Sequence, residues 1–135
     1  MPSAPLSFAD RRVVITGAGR GIGRAYALEL ARRGASIVVN DVSVECAHAV
    51  AAEVGALGSA AIAVHADVAS AEACAELVDA GSRAFGGIDA VIANASINSV
   101  RKPFSETSCG DLQAMLAVNV IGAWSLLQAG WPVLA

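Results

Sequence analysis

Along the chain, short runs of β-branched and other apolar residues alternate with longer segments in which apolar positions recur at helical spacing. The runs at 12–16, 36–40, 60–65 and 88–93 predict four strands separated by helices. The first three are apolar almost throughout (Val13, Val14 and Ile15; Ile37, Val38 and Val39; Ile62 and Val64), the pattern of strands covered by helices on both faces. A half-exposed antiparallel sheet would alternate apolar and polar positions more cleanly.

Helix limits are marked by residue type. The segment 22–33 ends in Arg32 and Arg33 before Gly34, which suits the helix dipole and a left-handed C-terminal cap. A later helix, about 70–85, stops at Gly86 and Gly87. The last opens at Ser108, whose hydroxyl can cap the N–H of Asp111 while Asp111 reaches back in a variant of the capping box; it runs over about 109–130. Four βα units with right-handed crossovers predict a doubly wound parallel α/β sheet. The chain has 135 residues and shows no repeat, low-complexity tract or linker, so residues 1–135 read as one domain or part of one, with its first strand near residue 12.

Composition narrows the function. Hydrophobic residues make up 56% of the chain and charged residues 16%, which demands a deeply buried core. Net charge is −3 and no basic run exists, so no surface tracks a nucleic acid or an anionic bilayer. Cys46, Cys74 and Cys109 lack CxxC spacing, which argues against a disulfide framework or zinc ribbon and for a reducing cytoplasm. His48 and His65 have no second ligand at metal spacing except Cys46 before His48, and read as surface or packing residues; no metal is expected. Residues 1–8 lack the parts of a signal peptide and read as a loose arm. Residues 112–135 carry no charge and are long enough to span a bilayer, but Gln113, Asn119, Ser125, Gln128 and Pro132 interrupt them and no Lys or Arg follows. A buried helix, with no membrane partner, is the expectation.

The chemistry concentrates in Thr16-Gly17-Ala18-Gly19-Arg20-Gly21-Ile22-Gly23, between a predicted strand and helix, where a phosphate-binding turn belongs. Gly17 turns the chain, Gly21 lets the backbone approach a pyrophosphate, and Gly23 brings the helix close to the strand. Gly17, Arg20, Gly21, Ile22 and Gly23 are therefore candidate cofactor contacts. A Walker A loop is excluded because no Gly-Lys-Ser/Thr follows. Asp41 stands just past the second strand, about twenty residues after the turn, where a carboxylate accepts hydrogen bonds from an adenosine ribose and repels a 2′-phosphate. NAD is expected over NADP, with Arg20 the one basic residue in the turn that favours a phosphate.

The turn fits TGxxxGxG rather than GxGxxG, since Ile22 stands at the last glycine of the latter. In that spacing the chain resembles the short-chain dehydrogenase/reductase family, from the first strand through the helix that carries Asn119. The resemblance implies a Rossmann-like fold. It implies that Asp67 and Val68, after the third strand, hold adenine. It also implies that Asn94 and Ala95, in Ala93-Asn94-Ala95-Ser96 where the family has Asn-Asn-Ala-Gly, pin the central strands and line the nicotinamide ribose pocket. Ser96 departs from the family glycine, and its Cβ would disturb the site if the backbone there needed positive φ. Asn119 falls on one face with Leu112, Met115, Leu116, Ala123 and Leu126, so by periodicity it is a core amide that needs partners. Left unpaired it would cost about 1–3 kcal/mol. The resemblance makes it instead a catalytic residue that holds a water in a proton relay.

Family members run to about twice this length and add a strand with a catalytic serine, then Tyr-x-x-x-Lys. The single tyrosine, Tyr26, has Leu30 four residues later and does not supply that motif. The resemblance thus implies the N-terminal cofactor-binding part of an NAD-dependent oxidoreductase acting on a secondary alcohol or ketone. The segment is expected to be inactive alone, for want of that serine, tyrosine and lysine, and poorly soluble, because its fourth strand is an open edge and its last helix lacks neighbours. The resemblance also implies a homo-oligomeric parent, in which this helix and the next pair across an interface. Residues 96–106 offer one wall of the substrate site. The alternatives are a non-catalytic dinucleotide-binding module and a truncated remnant.

Overall fold

In the computed structural model, which describes residues 6–98 and 102–134, the strands and helices alternate as predicted. They are β1 (Arg12–Ile15), α1 (Gly21–Arg32), β2 (Ser36–Asp41), α2 (Val44–Ala56), β3 (Ala61–His65), α3 (Ala71–Phe85), β4 (Ala90–Ile92) and α4 (Cys109–Leu134), with a 3-10 turn at Phe104–Glu106. The sheet order is β3-β2-β1-β4 and every pairing is parallel. Val14 sits beside Val38 on one side and Val91 on the other, and the order reverses between β1 and β4.

Alternate residues of the central strands feed two cores. Val13, Ile15, Ile37 and Val39 pack with Ala27, Ala31, Val50 and Val54 of α1 and α2. Val14 and Val38 face the other way, onto Leu77 and Val78 of α3 and Leu126 of α4. Both faces are covered, which is why the strand sequences are continuously apolar. The edge strands β3 and β4 are only half-buried for lack of an outer neighbour.

Cap chemistry explains the helix limits. Ser43 Oγ accepts from the Cys46 N–H at 3.2 Å and Ser70 Oγ from Ala73 at 3.1 Å. Ser108 Oγ accepts from Asp111 N–H at 3.1 Å, and Asp111 Oδ2 accepts from Ser108 N–H at 2.8 Å, completing the expected capping box. Below the sheet, Arg12 Nε donates to Asp89 Oδ2 at 2.7 Å and its Nη2 to Oδ1 at 3.0 Å, clamping β1 to the loop that enters β4. These hydrogen bonds from the Arg12 side chain, with a further one from its N–H, pull the Asp89 carboxyl down to about 2.

Three expectations change. β4 is shorter than 88–93, since Ile88 is a core residue before the strand and Ala93 follows it. α4 continues beyond Gly130 to Leu134, with that glycine buried within the helix beside Val91 of β4 rather than ending it. Most consequentially, Asn119 does not sit on a buried stripe: it is exposed, as are Leu112 and Leu116, while Ser125, Leu126 and Gly130 make the buried contact. The reason is cover: α3 and β4 pack only on the part of α4 from Ala123 onward, so Leu112 and Leu116 before it and Asn119, in the π-helical segment Ala117–Gly122, are left outside that contact. By length and hydropathy α4 could cross a membrane, and the greater part of its apolar surface is uncovered in this chain. Residues 1–5 of the expected N-terminal arm and residues 99–101 of the expected substrate wall lie outside the described residues.

Candidate functional site

A cleft of about 560 Å³ opens at the carboxyl ends of the strands, where a doubly wound sheet presents its ligand crevice. It is lined by Gly17, Arg20, Asp41, Asp67, Asn94 and Ile97 among others. Sequence candidates from four separate loops therefore meet in one place.

The turn after β1 is built as its glycines require. Gly17 has φ +61, and a Cβ on it would stand 2.8 Å from Ala95 Cα. A Cβ on Gly23 would fall 2.3 Å from the Gly17 carbonyl oxygen and 2.6 Å from Asn94 Nδ2, so the first turn of α1 fits only with hydrogen there. The first backbone bond into that turn is Arg24 N–H to Arg20 O at 3.2 Å, leaving the N–H groups of Gly21, Ile22 and Gly23 at the positive end of the helix. Arg20 and Ile22 are exposed at its mouth.

Thr16 and Asn94 tie β1 to β4 beneath the turn. Asn94 Nδ2 donates to the carbonyls of Thr16 at 3.0 Å and Gly17 at 3.2 Å, and Thr16 Oγ1 accepts from the N–H groups of Asn94 and Ala95, each at 3.1 Å. Asn94 is thus a pin between the central strands. Ser96 causes no backbone strain, since Asp10 is the only described non-glycine residue with positive φ.

Asp41 closes β2 and is 4% exposed. Its Oδ2 accepts from the Gly19 N–H at 3.0 Å and its Oδ1 from the Ser43 N–H at 3.0 Å. The carboxylate therefore spans from the glycine turn to the start of α2 and still lines the cleft. Asp67 is exposed and its Oδ1 accepts from Ala69 N–H at 2.9 Å, while Val68 is buried against Gly122 of the π-helical segment. The Cys74 thiol donates toward the Val68 carbonyl at 3.5 Å, and burial pushes its pKa up.

Asn119 is paired both ways with one residue. Its Oδ1 accepts from the Ile97 N–H at 2.8 Å and its Nδ2 donates to the Ile97 carbonyl at 2.9 Å. This holds the strand-to-helix segment after Asn94 at the rim of the cleft. One lone pair and one N–H of the amide stay outside that pairing.

Two further residues shape the cleft. Asn40, 1% exposed, donates from Nδ2 to the carbonyls of Val64 and Ala66, both at 3.1 Å, and so steers the chain toward Asp67 and Val68. Its signal in the sequence is an asparagine closing an otherwise apolar run. Gly19 is buried and gives its N–H to Asp41, which only the fold brings near. His48 and His65 are exposed, and no metal-ligand cluster occurs among the described residues.

Residues 11–135 match the family described as short chain dehydrogenase. Peroxisomal multifunctional enzyme A of Dictyostelium discoideum is 38% identical over 136 residues, spanning 93% of this chain and 30% of that protein. The fold superposes with a TM-score of 0.90 on NAD+-bound xylitol dehydrogenase, 34% identical, over 95% of this chain and 49% of that one. It matches a Burkholderia cenocepacia short chain dehydrogenase in complex with NADP with the same TM-score, 37% identity, and 96% and 53% coverage. The chain thus spans under a third of the first and about half of the other two.

Proposed function

Because the chain belongs to the short chain dehydrogenase family, we propose that it is the N-terminal, cofactor-binding part of an NAD-dependent oxidoreductase acting on a secondary alcohol or ketone. The observation that carries this reading is the convergence of the glycine turn, Asp41, Asp67–Val68 and Asn94–Ala95 on a single cleft. The residues fit a dinucleotide: Gly17 and Gly23 pack the turn tightly against Ala95 and Asn94, Gly21 with φ +56 leaves open space above the backbone, and the N–H groups at the start of α1 offer an anion a favourable dipole.

In this reading Gly21, Ile22 and Gly23 hold the pyrophosphate through their N–H groups, with Gly17 and Arg20 beside them. Asp41 accepts from the adenosine ribose hydroxyls, Asp67 and Val68 flank adenine, and Asn94 and Ala95 line the nicotinamide ribose. Asn119 fixes Ile97 and keeps enough free hydrogen-bonding capacity to hold a water for proton transfer. When bound, the nicotinamide supplies the site that accepts or gives the hydride. A 2′-phosphate would bring nearly two negative charges against Asp41, which supports NAD over NADP.

The proton-transfer groups are proposed to lie in the remainder of the longer protein. Tyr26 is on α1 and lines a separate apolar depression with Phe8 and Leu30, away from the cleft. The segment alone therefore binds without turnover. The same observation favours a second reading, a dinucleotide-binding module with no chemistry. Unpaired Cys46, Cys74 and Cys109 support a reducing compartment such as the cytoplasm, and the open apolar face of α4 supports a homo-oligomeric parent.

The test is titration of the full-length protein with NAD and NADP by protein fluorescence, followed by turnover assays on secondary alcohols. Tighter binding of NAD with NADH formation is expected from the full-length protein and binding alone from the segment. Turnover by the segment, or tighter binding of NADP, would defeat the corresponding part of the proposal.

A further inference from the structure

The buried carboxylate of Asp41 is immobilised by its surroundings. Both oxygens accept backbone N–H bonds, one from Gly19 and one from Ser43, each at 3.0 Å, so a rotation that frees either oxygen breaks a charge-assisted bond. Gly19 is packed as tightly as it is bonded. A Cβ at position 19 would meet Asp41 Oδ2 at 2.8 Å, Asp41 Cγ at 2.9 Å and Cys46 Cβ at 2.6 Å. Cys46 cannot retreat alone, because its N–H is the one capped by Ser43 Oγ at 3.2 Å, and its Cβ is carried on the first turn of α2.

Any side chain at position 19 must therefore push Asp41 toward the cleft or push α2 away from the sheet. Arg20, the next residue of the turn, is exposed and lines the same cleft. Two opposite charges thus compete for what occupies the space near Asp41: the carboxylate selects hydroxyl donors, and the guanidinium selects a phosphate.

Resting on the dinucleotide reading above, we infer that Gly19 and Cys46 are specificity-determining positioning residues, which hold Asp41 where it outweighs Arg20 and so restrict the site to an adenosine ribose without a 2′-phosphate. Gly19 acts by its N–H and by the absence of a Cβ. Cys46 acts as the wall that leaves no room for one. Neither residue touches the reacting atoms.

The experiment measures NAD and NADP dissociation constants for the full-length protein and four variants. Asp41→Ala tests the underlying reading and should lose most of the preference for NAD. Gly19→Ala should weaken NAD by about tenfold, the scale of one lost charge-assisted hydrogen bond, while NADP changes much less. The double variant Gly19→Ala/Cys46→Gly, which gives the new methyl the space behind it, should restore a large part of the wild-type ratio. If Gly19→Ala fails to fold, Cys46→Val presses on the same contact from the α2 side and should lower the ratio. A merely structural role predicts equal weakening of both cofactors by Gly19→Ala and no recovery of the ratio in the double variant, and either result overturns the inference. An Asp41→Ala protein that keeps the wild-type ratio instead defeats the assignment of Asp41 to the adenosine ribose, and a full-length protein that binds neither cofactor defeats the dinucleotide reading itself.

Discussion

Asn94 donates two hydrogen bonds to Thr16, from its backbone N–H to Oγ1 at 3.1 Å and from Nδ2 to the carbonyl oxygen at 3.0 Å. β4 pairs with β1 over only three residues, Ala90, Val91 and Ile92, so this pair extends the hold of one strand on the other up to the cleft. Thr16→Val or Asn94→Ala should each destabilise the full-length protein by about 1–3 kcal/mol, because each leaves a largely buried partner unsatisfied. Urea unfolding of both single variants and the double variant should show coupling of about 0.5 kcal/mol or more. Additive losses would mean that the two residues act independently.

The lower clamp should titrate. The Asp89 carboxyl lies at about 2, below its ordinary 3.8, chiefly through its hydrogen bonds from the Arg12 side chain. A depressed carboxylate contributes stability above its unfolded value and loses it as pH falls through the folded one. The stability advantage of wild type over Asp89→Asn should therefore be constant near neutrality and shrink between about pH 4 and pH 2. Asp111 is likewise held at about 2, by Lys102 and Ser108, but it is common to both proteins and cancels in the difference. Thermal melts across that range decide it, and an advantage that grows toward acid would contradict the assignment.

Two glycine-to-alanine changes should have opposite signs. At Gly23 the added methyl would meet backbone at 2.3 Å, and the overpacking should cost about 1–3 kcal/mol and weaken dinucleotide binding. At Gly55, within α2, a Cβ meets nothing within 4 Å, and alanine should stabilise by about 0.5–1 kcal/mol through helix propensity. Melting temperatures of the two variants against wild type suffice, and a destabilised Gly55→Ala would show that α2 is packed more closely than its surface suggests.

Asn119 should separate stability from activity. Its bonds to Ile97 are solvent-exposed, so Asn119→Ala should cost less than about 1 kcal/mol in unfolding experiments. If the full-length protein carries the proposed activity, the same change should lower its kcat by about tenfold or more, the range for a lost proton-transfer component. An unaltered kcat would leave Asn119 as a tether for Ile97 alone.

The outer face of α4 carries Leu116, Val120, Trp124, Leu127 and Trp131, all exposed. Such a continuous apolar strip promotes association. The isolated segment should sediment as oligomers or aggregates, and Trp124→Gln with Trp131→Gln should shift it toward monomer. A cooperative, monomeric melt of the unmodified segment at micromolar concentration would oppose this.

The residues themselves determined what depends on near neighbours in the chain. Continuous apolar runs made strands that needed cover on both faces, Ser70 and Ser108 started helices by bonding their own first turns, and the glycines from Gly17 to Gly23 made a phosphate-sized turn. Only the tertiary structure decided what depends on residues far apart. It placed β4 beside β1, so that Asn94 meets Thr16 across 78 positions, and brought the Gly19 N–H to Asp41 across 22. It also left Asn119 exposed where ideal helical spacing puts it on a buried stripe, because α3 and β4 cover α4 only from Ala123 onward, beyond the π-helical segment Ala117–Gly122. Periodicity assumes a regular helix and burial assumes a known neighbour; the packing of Gly122 onto Val68 and of Leu126 onto α3 and β1 supplies both only once the chain is folded.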